Sequence, residues 1–217
     1  VETWRKSRPA VMEKLLEHGI DPAVYGENTT CLQLAIYQNA NPAVIMAAVK
    51  RFPDSVKVIS PSHFKETVLH YFAEKNSDPA LLKFLLENGA DIESRKSDGS
   101  TPLMMAIWVK NDKAVRSLLD AGASIHARNN VHTTVLHFAA IKSPVAFTGE
   151  LIQKGVDVNA ATVNDNTTPL MDAANAGRAD SVRLLLENGA QVNKQEASEE
   201  KRTALHWAVL GKNPEVV

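Results

Sequence analysis

Three histidines recur in one short motif, and their side chains are the ones in this chain best suited to acid–base or metal chemistry. His70, His137 and His206 each stand three residues after a threonine, in the pattern T-x-L-H. An imidazole can act as a general base near neutral pH or as a ligand of a transition metal. The motif therefore raises two hypotheses, which are a catalytic or metal site and a structural position that the chain uses several times.

The other copies of the same segment favour the structural hypothesis. Gln33, Met104 and Met171 take the place of the histidine in three of them. The donor atoms that bind one metal ion each lie about 2 Å from it, whereas histidines in separate repeats would lie too far from one another to reach the same ion. We therefore predict that each imidazole bonds loop backbone.

Beyond the histidines, the sequence carries no motif that indicates catalysis. It contains no H-E-x-x-H, G-x-S-x-G, G-K-[ST] or G-x-G-x-x-G pattern. The single cysteine, Cys31, follows Thr30 at a position where other copies carry proline, valine or alanine, so we favour a packed or half-buried thiol over a nucleophile. We predict no catalytic residue, no metal site and no cofactor, so the chain is not expected to be an enzyme.

Composition and charge exclude several classes of partner. The 217 residues are 44% hydrophobic and 23% charged, with a formal net charge of −1. Basic residues are not clustered, so we predict no nucleic-acid partner. The uncharged stretch 28–49 contains asparagines, glutamines and a proline, which indicates two short helices and no membrane insertion. A single cysteine suits a reducing compartment, and we expect a cytoplasmic location.

Two phrases repeat along the chain at a fixed period. The sequence LLENGA occurs at 85–90 and again at 185–190, with related segments between and before them. Their glycines stand at positions 19, 89, 122, 155 and 189. The threonines of the second phrase stand at 30, 67, 101, 134, 168 and 203. A period of 33 to 34 residues indicates a stack of similar supersecondary units.

Each repeat is predicted to consist of two helices and a turn. The threonine suits the N-cap of a first helix, and Pro102 or Pro169 suits the first helical position, where no amide partner is needed. The glycine suits the left-handed residue that ends a second helix. The polar segment that follows must reverse the chain, and Asp98-Gly99 is typical of a tight hairpin turn.

On these phrases and this period, the chain resembles ankyrin repeats. The resemblance implies an all-α solenoid of stacked helix-turn-helix repeats with projecting β-hairpin loops. We place a partial repeat at 1–25, repeats at 26–61, 62–95, 96–128, 129–162 and 163–197, and a truncated repeat at 198–217, all in one domain. The repeat 26–61 lacks the usual proline and glycine, so its second helix should end irregularly, and extra residues near Thr162 and Glu196 should lengthen two hairpins.

The resemblance also implies function. Ankyrin-like domains bind other proteins and have no enzymatic activity as a family, so we expect a scaffold or adaptor that binds a protein or peptide on its concave face, as a monomer. The alternative is a regulatory or targeting domain of a larger enzyme or channel whose other domains lie outside this sequence. The period identifies no partner.

Helical geometry predicts the residues of the binding face. Leu103, Ala106 and Ile107 share the core side of one helix, and Trp108 points roughly 140° away from Leu103. Trp108 could also be ordinary core between neighbouring helices. The corresponding positions and the adjoining hairpins give the predicted protein-binding set Tyr37, Phe64, Glu74, Asp98, Trp108, Val131, Ile141, Asp165 and Asn175, with Leu210 at the last copy.

Two further expectations concern single positions. Asn159 and Asn193 each follow a leucine by eight residues, as do the hairpin asparagines that asparaginyl hydroxylases modify in ankyrin-like proteins; a turn asparagine that bonds backbone is the alternative. At the last repeat, we expect Leu205, Ala208 and Val209 to be exposed and the segment to fray.

Overall fold

The computed structural model describes residues 14–15, 17–23 and 29–211. Most of the partial repeat 1–25 and the end of the repeat 198–217 therefore lie outside the described residues. The chain divides into two compact units, residues 1–124 and 125–217. In the described part, the secondary structure consists of α-helices, one 3₁₀ helix and an isolated bridge between Arg128 and Thr134, with no sheet.

Between residues 29 and 124, the first unit contains three helix pairs. They are α1 (Cys31–Tyr37) with α2 (Pro42–Arg51), α3 (Val68–Lys75) with α4 (Pro79–Glu87), and α5 (Pro102–Trp108) with α6 (Asp112–Asp120). The first helices α1, α3 and α5 pack side by side in this order, and the second helices pack in a parallel row, α2 against α4 and α4 against α6. This is the predicted stack of helix-turn-helix repeats.

The second unit repeats the arrangement. Its helices are α7 (Val135–Lys142) with α8 (Val145–Gln153), α9 (Pro169–Asn175) with α10 (Ala179–Glu187), and α11 (Ala204–Leu210). Helix α9 packs between α7 and α11, and α10 packs on α8. The predicted all-α repeat architecture is confirmed in both units.

The predicted threonines begin the first helices. Thr30, Thr101 and Thr168 accept a hydrogen bond on Oγ1 from the backbone amide three residues later, at 3.1, 3.4 and 3.3 Å. Pro102 and Pro169 occupy the first helical position of α5 and α9. Both predictions are confirmed. A capping threonine satisfies an amide that a helix leaves without a partner at its start, and proline at the first helical position has no amide N–H to satisfy.

The second helices end as the glycine pattern predicts. Gly122, Gly155 and Gly189 have φ angles of +92°, +82° and +85°, in the left-handed region that favours glycine. Helix α2 has no such glycine. It ends at Arg51, its C-cap residue Phe52 has a φ of −133°, and the 3₁₀ helix Pro53–Lys57 follows directly. The irregular end predicted for this repeat is confirmed.

One backbone hydrogen bond closes each hairpin, and its span varies as predicted. In the regular repeats it joins residues four apart, as from the Asn129 amide to the Thr133 carbonyl. In the hairpins with extra residues it joins Thr162 to Thr167 and Glu196 to Arg202. The hairpin closed by the bond from Ser60 to Glu66 is as long as the one closed from Glu196 to Arg202, and the sequence analysis did not foresee its length.

His70 and His137 link the first helices α3 and α7 to the hairpin of the next repeat. The His70 Nδ1 accepts from the Thr67 amide at 3.2 Å, and its Nε2 donates to the Ser100 carbonyl at 3.0 Å. His137 makes the same two bonds, with Thr134 at 3.1 Å and Thr167 at 3.2 Å. The prediction that these imidazoles bond loop backbone is confirmed.

Gln33 makes equivalent bonds in the first repeat. Its Oε1 accepts from the Thr30 amide at 3.0 Å, and its Nε2 donates to the carbonyls of Val58 and Glu66 at 3.1 and 3.2 Å. An amide thus does the same work as a neutral imidazole, with one acceptor and one donor at opposite ends. No charge is required at this position.

The exposure expected at the last repeat is correct for two residues and wrong for the third. Leu205 and Val209 are 54% and 60% exposed, but Ala208 is fully buried. Ala204 and Ala208 are one helical turn apart and both are buried, because α11 packs on α9. Leu205 and Val209 lie on the side that no described element covers.

The buried histidines predict a pH dependence of stability. Burial, the largest effect, lowers the pKa of His70 and of His137 to about 4, so each is neutral in the folded chain. An unfolded histidine titrates near 6.5, so protons favour the unfolded chain in this window. Each histidine thus contributes about 3 kcal/mol of stability above pH 6.5 that is lost as pH falls to about 4.

We expect His70→Gln and His137→Gln to fold and to lose less stability than the unmodified chain between pH 6.5 and 4, because glutamine makes the same bonds in the first repeat. Urea unfolding over this pH range measures the difference. His63→Gln, at an exposed histidine, is the control and should keep the original profile. Parallel profiles for all three variants would contradict the explanation.

Helix α11 should exchange its amides faster than α5, α7 and α9. Its side bearing Leu205 and Val209 has no packing partner among the described residues, so local opening exposes little additional apolar surface. Hydrogen–deuterium exchange read by NMR or mass spectrometry measures this. Equal protection of all four helices would show that a cap or a second copy covers α11.

Candidate protein-binding face

Within each unit, the predicted binding positions of the first helices lie in a column, seven residues after each capping threonine. We name this the outer column. In the first unit it comprises Tyr37, Glu74 and Trp108, of which Tyr37 and Glu74 are half-buried and Trp108 is 48% exposed. The core neighbours Leu103 and Ile107 on the same helix are 1% exposed. Trp108 is therefore a surface residue, and its contact with a partner stays a prediction.

In the second unit the outer column is less aromatic. Ile141 is half-buried, Asn175 is exposed, and Leu210 is 54% exposed. The column thus changes from aromatic and acidic side chains in one unit to aliphatic and amide side chains in the other. The two units present different chemistry at equivalent positions.

The four predicted hairpin residues lie at exposed turns. Phe64 is 49% and Val131 36% exposed, and Asp98 and Asp165 are also exposed. Main-chain bonds tie neighbouring tips together within each unit. The carbonyls of Phe64, Val131 and Asp165 accept from the amides of the next tips at 2.8, 3.1 and 2.8 Å; the donors are Ser97, Val163 and Ala197.

Asp98 is largely engaged within its own hairpin. Its carboxylate accepts from the Ser100 amide at 2.8 Å and lies 3.1 Å from the Lys96 ammonium. Partial burial raises the pKa of this carboxyl, but the bonds from Ser100 and Lys96 outweigh burial and hold the pKa below its usual value. Asp98 therefore stays charged and fixes the turn.

A second column, which the sequence analysis missed, runs beside the outer column. It lies four residues after each capping threonine, and we name it the inner column. All of its members are half-buried; they are Leu34, Tyr71 and Met105 in the first unit and Phe138, Asp172 and Trp207 in the second. A spacing of three residues from the outer column was the available signal, since residues three apart share a helix face.

In the first unit, aromatic side chains join the two columns. The rings of Tyr37 and Tyr71 meet edge to face, with centroids 6.1 Å apart and planes at 84°. The Lys75 ammonium lies 5.4 Å from the centre of the Tyr37 ring. Burial, the largest effect, raises the pKa of the Tyr71 hydroxyl, so the phenol stays neutral.

In the second unit, the columns border a cavity of about 320 Å³. Helix α9 contributes Met171, Asp172 and Asn175, and α11 contributes Trp207. The adjoining hairpins contribute the remaining lining residues, which are Asp165, Thr167, Glu196, Ser198 and Arg202. The cavity therefore includes one predicted hairpin residue, one outer-column residue and two inner-column residues.

The charged groups of this cavity are unevenly compensated. Arg202 pairs with Glu196 at 3.7 Å and with Glu200, and its guanidinium carbon lies 5.3 Å from the centre of the Trp207 ring. Asp172 has no ion-pair partner in the part of the chain that the structure describes. Burial raises the pKa of its carboxyl to about 7.

The remaining candidates for chemistry occupy structural positions. Cys31 is half-buried, and burial, followed by the charge of Asp21, raises the pKa of its thiol, which disfavours the thiolate nucleophile. Across residues 14–15, 17–23 and 29–211, no three histidine, cysteine or acidic side chains form a group that could hold a metal ion. Each helix in those ranges is too short or too polar to cross a bilayer.

The two asparagines proposed for hydroxylation differ in their surroundings. The Asn159 Nδ2 donates to the Gly189 carbonyl at 3.0 Å, and its Oδ1 accepts from the Gln191 amide at 2.8 Å. Asn159 thus bonds the backbone of the next repeat. Asn193 is exposed, and the described residues offer its side chain no hydrogen-bond partner.

Comparison with known proteins agrees with the repeat architecture. A family model described as ankyrin repeats in three copies matches residues 44–129 and 126–196. Protein lin-12 of Caenorhabditis elegans is 32% identical over 183 residues, 76% of this chain and 13% of that protein. The B-cell lymphoma 3 protein homolog of Mus musculus is 28% identical over 187 residues, 84% of this chain and 41% of that protein.

A third similar protein carries an enzyme name. Tyrosine-protein kinase Shark of Drosophila melanogaster is 26% identical over 125 residues, which are 58% of this chain and 13% of that protein. The chain therefore spans less than half the length of each of these three relatives.

We expect an asparaginyl hydroxylase to add oxygen to Asn193 more readily than to Asn159, because the Asn159 amide is held by two backbone bonds. Mass spectrometry of peptides from the treated chain measures the added oxygen at each site. Asn193→Ala, which leaves Asn159 in place, is the control for assignment. Absence of added oxygen at both asparagines would contradict the prediction.

Proposed function

Because the chain belongs to the ankyrin-repeat family, whose repeats are protein–protein interaction modules, we propose that it is a scaffold or adaptor segment that binds a protein or peptide through the two columns of its first helices and the adjoining hairpins. The family is in general non-catalytic. We extend this to the chain itself and propose that it has no enzymatic activity of its own.

The observation that carries this proposal is the exposure of Trp108. The other large apolar residues of α5 are buried or half-buried, whereas 48% of the tryptophan lies open to solvent. An exposed tryptophan has an unfavourable contact with water and loses little conformational entropy when it is covered, so tryptophan is enriched at the centres of protein interfaces. Trp108 is the anchor that this proposal requires.

The surroundings of the two columns support the same proposal. The edge-to-face pair of Tyr37 and Tyr71 adds rigid aromatic area in the first unit. Within each unit, main-chain bonds between hairpin tips hold Phe64 and Val131 in place. A surface that is rigid before binding pays little ordering entropy on association.

The remaining properties of the proposed module follow from its chemistry. With a net charge of −1 and no basic cluster, we propose that its partner is a protein or peptide and that it binds neither nucleic acid nor a membrane surface. The lone, half-buried Cys31 suits a reducing environment, and we propose a cytoplasmic module that is monomeric.

A regulatory or targeting domain of a larger enzyme or channel is the second candidate function. The observation that favours it is that this chain covers only part of each relative, namely 13% of lin-12 and of the kinase Shark and 41% of the B-cell lymphoma 3 homolog. Reading the gene on both sides of this sequence tests it. Adjacent catalytic or membrane-spanning segments would favour regulation over a free-standing adaptor.

Trp108→Ala should weaken binding and leave stability nearly unchanged. We expect a loss of about 2 kcal/mol, or roughly thirtyfold in affinity, because the indole is exposed in the free chain and buried by the partner. A partner captured on the immobilised chain and identified by mass spectrometry supplies the ligand for calorimetric titration, and urea unfolding measures stability.

Leu186→Ala is the matched control. Leu186 is 40% exposed on the second helix α10, away from both columns, so its truncation should leave affinity within twofold. Equal affinities for the Trp108 and Leu186 variants would contradict the proposed face. A large loss of stability in Trp108→Ala would instead assign the indole to the core.

A further inference from the structure

The cavity of the second unit has the chemistry to bind one long cationic side chain. We propose that it is a recognition site for an arginine of the partner peptide, whose guanidinium would lie between the Asp172 carboxylate, the Asp165 carboxylate and the Trp207 ring. This inference rests on the proposed function, since it names the kind of peptide that the binding face accepts.

Charge is the first step of the argument. Of the cavity's lining residues, Asp165, Asp172 and Glu196 are acidic and Arg202 is the single base. Arg202 is already committed to Glu196 and Glu200 on its own hairpin. Asp165 and Asp172 have no ion-pair partner among the described residues, so the cavity has two uncompensated carboxyl groups.

The surroundings of Asp172 are the second step. Its carboxyl is half-buried and has no counter-ion among the described residues, and this partial burial raises its pKa to about 7. Nothing in the helix packing explains a half-buried acid here, since α7 and α11 carry Phe138 and Trp207 at the corresponding position. A bound guanidinium would supply the missing positive charge and hydrogen-bond donors.

The aromatic wall is the third step. The Trp207 ring already has the Arg202 guanidinium 5.3 Å from its centre, so this wall stacks with planar cations. The buried Trp207 Nε1 finds no hydrogen-bond acceptor in the described part of the chain. A planar guanidinium can stack on an indole and donate to carboxylates in its own plane, which an ammonium cannot do.

Size and position complete the argument. At about 320 Å³, the cavity lies at the lower end of the range of roughly 300 to 1,000 Å³ for ligand pockets, so it suits one side chain better than a bulky cofactor. Asn175 of the outer column forms part of its wall. An arginine in the cavity would therefore belong to a peptide that also contacts the proposed binding face.

Titration with short peptides tests this site directly. The probes are three acetylated and amidated tripeptides, Gly-Arg-Gly, Gly-Lys-Gly and Gly-citrulline-Gly, added to the ¹⁵N-labelled chain. The NMR signal of the Trp207 indole N–H is the readout, and the Trp108 indole is the internal reference. We expect saturable shifts of Trp207 with the arginine peptide, at least fivefold weaker binding of lysine and no shift with neutral citrulline.

Each other outcome overturns the inference. No shift with the arginine peptide would exclude the site, and an equal response to citrulline would show that charge does not matter. A stronger response to lysine would replace arginine with a different ligand. Equal shifts of Trp108 and Trp207 would indicate non-specific association.

Charge-neutralising variants locate the binding groups. Asp172→Asn should weaken binding of the arginine peptide at least tenfold, and so should Asp165→Asn, whose hairpin position keeps the test valid if the first variant unfolds. Asp180→Asn is the matched control, because it removes the same charge from an exposed position on α10, where the side chain is 74% exposed. Unchanged binding by Asp172→Asn or Asp165→Asn in a folded chain would overturn the assignment.

Failure of this site and failure of the proposed function are distinguishable. The peptide titration reads binding at Trp207 and uses Trp108 only as a reference signal, and Trp108→Ala changes no residue that lines the cavity. A negative titration with an intact Trp108 effect would remove the arginine site alone. The reverse result would leave a peptide-binding cavity without the proposed face.

Discussion

The structure depends on a hydrogen bond that crosses from the first helices α1, α3 and α7 to the hairpin of the next repeat. In the repeats that carry it, the third helical residue accepts from the amide of its own capping threonine and donates to a backbone carbonyl about 30 residues later, as His70 does to Ser100. This bond is buried, where an unpaired amide or carbonyl would be costly. It therefore fixes the start of the helix and the position of the following hairpin together.

Two repeats carry methionine at this position, Met104 in α5 and Met171 in α9, and the second of them shows a different solution. Met171 occupies the position in α9 and cannot bond a carbonyl. The hairpin that follows is held instead by the buried Glu196, which accepts from the Ser198 hydroxyl at 2.6 Å and pairs with Arg202. The Arg202 guanidinium lies beside Trp207, and Glu196 lines the cavity.

The same framework gives the two units different surfaces. Side chains that pack between two first helices, such as Leu69, Leu103 and Leu170, are buried, whereas the inner and outer columns vary without disturbing the stack. In the first unit these columns are aromatic, with Tyr37 against Tyr71 and an exposed Trp108. In the second they border an acidic cavity. Stability thus depends on residues that repeat, whereas the proposed recognition would depend on residues that differ.

The sequence by itself determined most of the features that rest on local interactions, although not the long hairpin from Ser60 to Glu66. Helix starts, helix ends, the irregular end of α2 and the longer hairpins at Thr162 and Glu196 follow from bonds between residues a few positions apart. The orientation of Trp108 followed from the 100° turn per residue of a helix. The structural role of the histidines followed from comparing positions within the chain.

Only the tertiary structure decided what depends on a neighbouring repeat. The burial of Ala208, the inner column, the partners of Asn159 and the elevated pKa of Asp172 each depend on how closely another helix or hairpin approaches. One helix's periodicity gives the direction of a side chain but not the distance to the next element. That distance determines whether a group is solvated, hydrogen-bonded or left without a partner, and hence where this chain can bind a ligand.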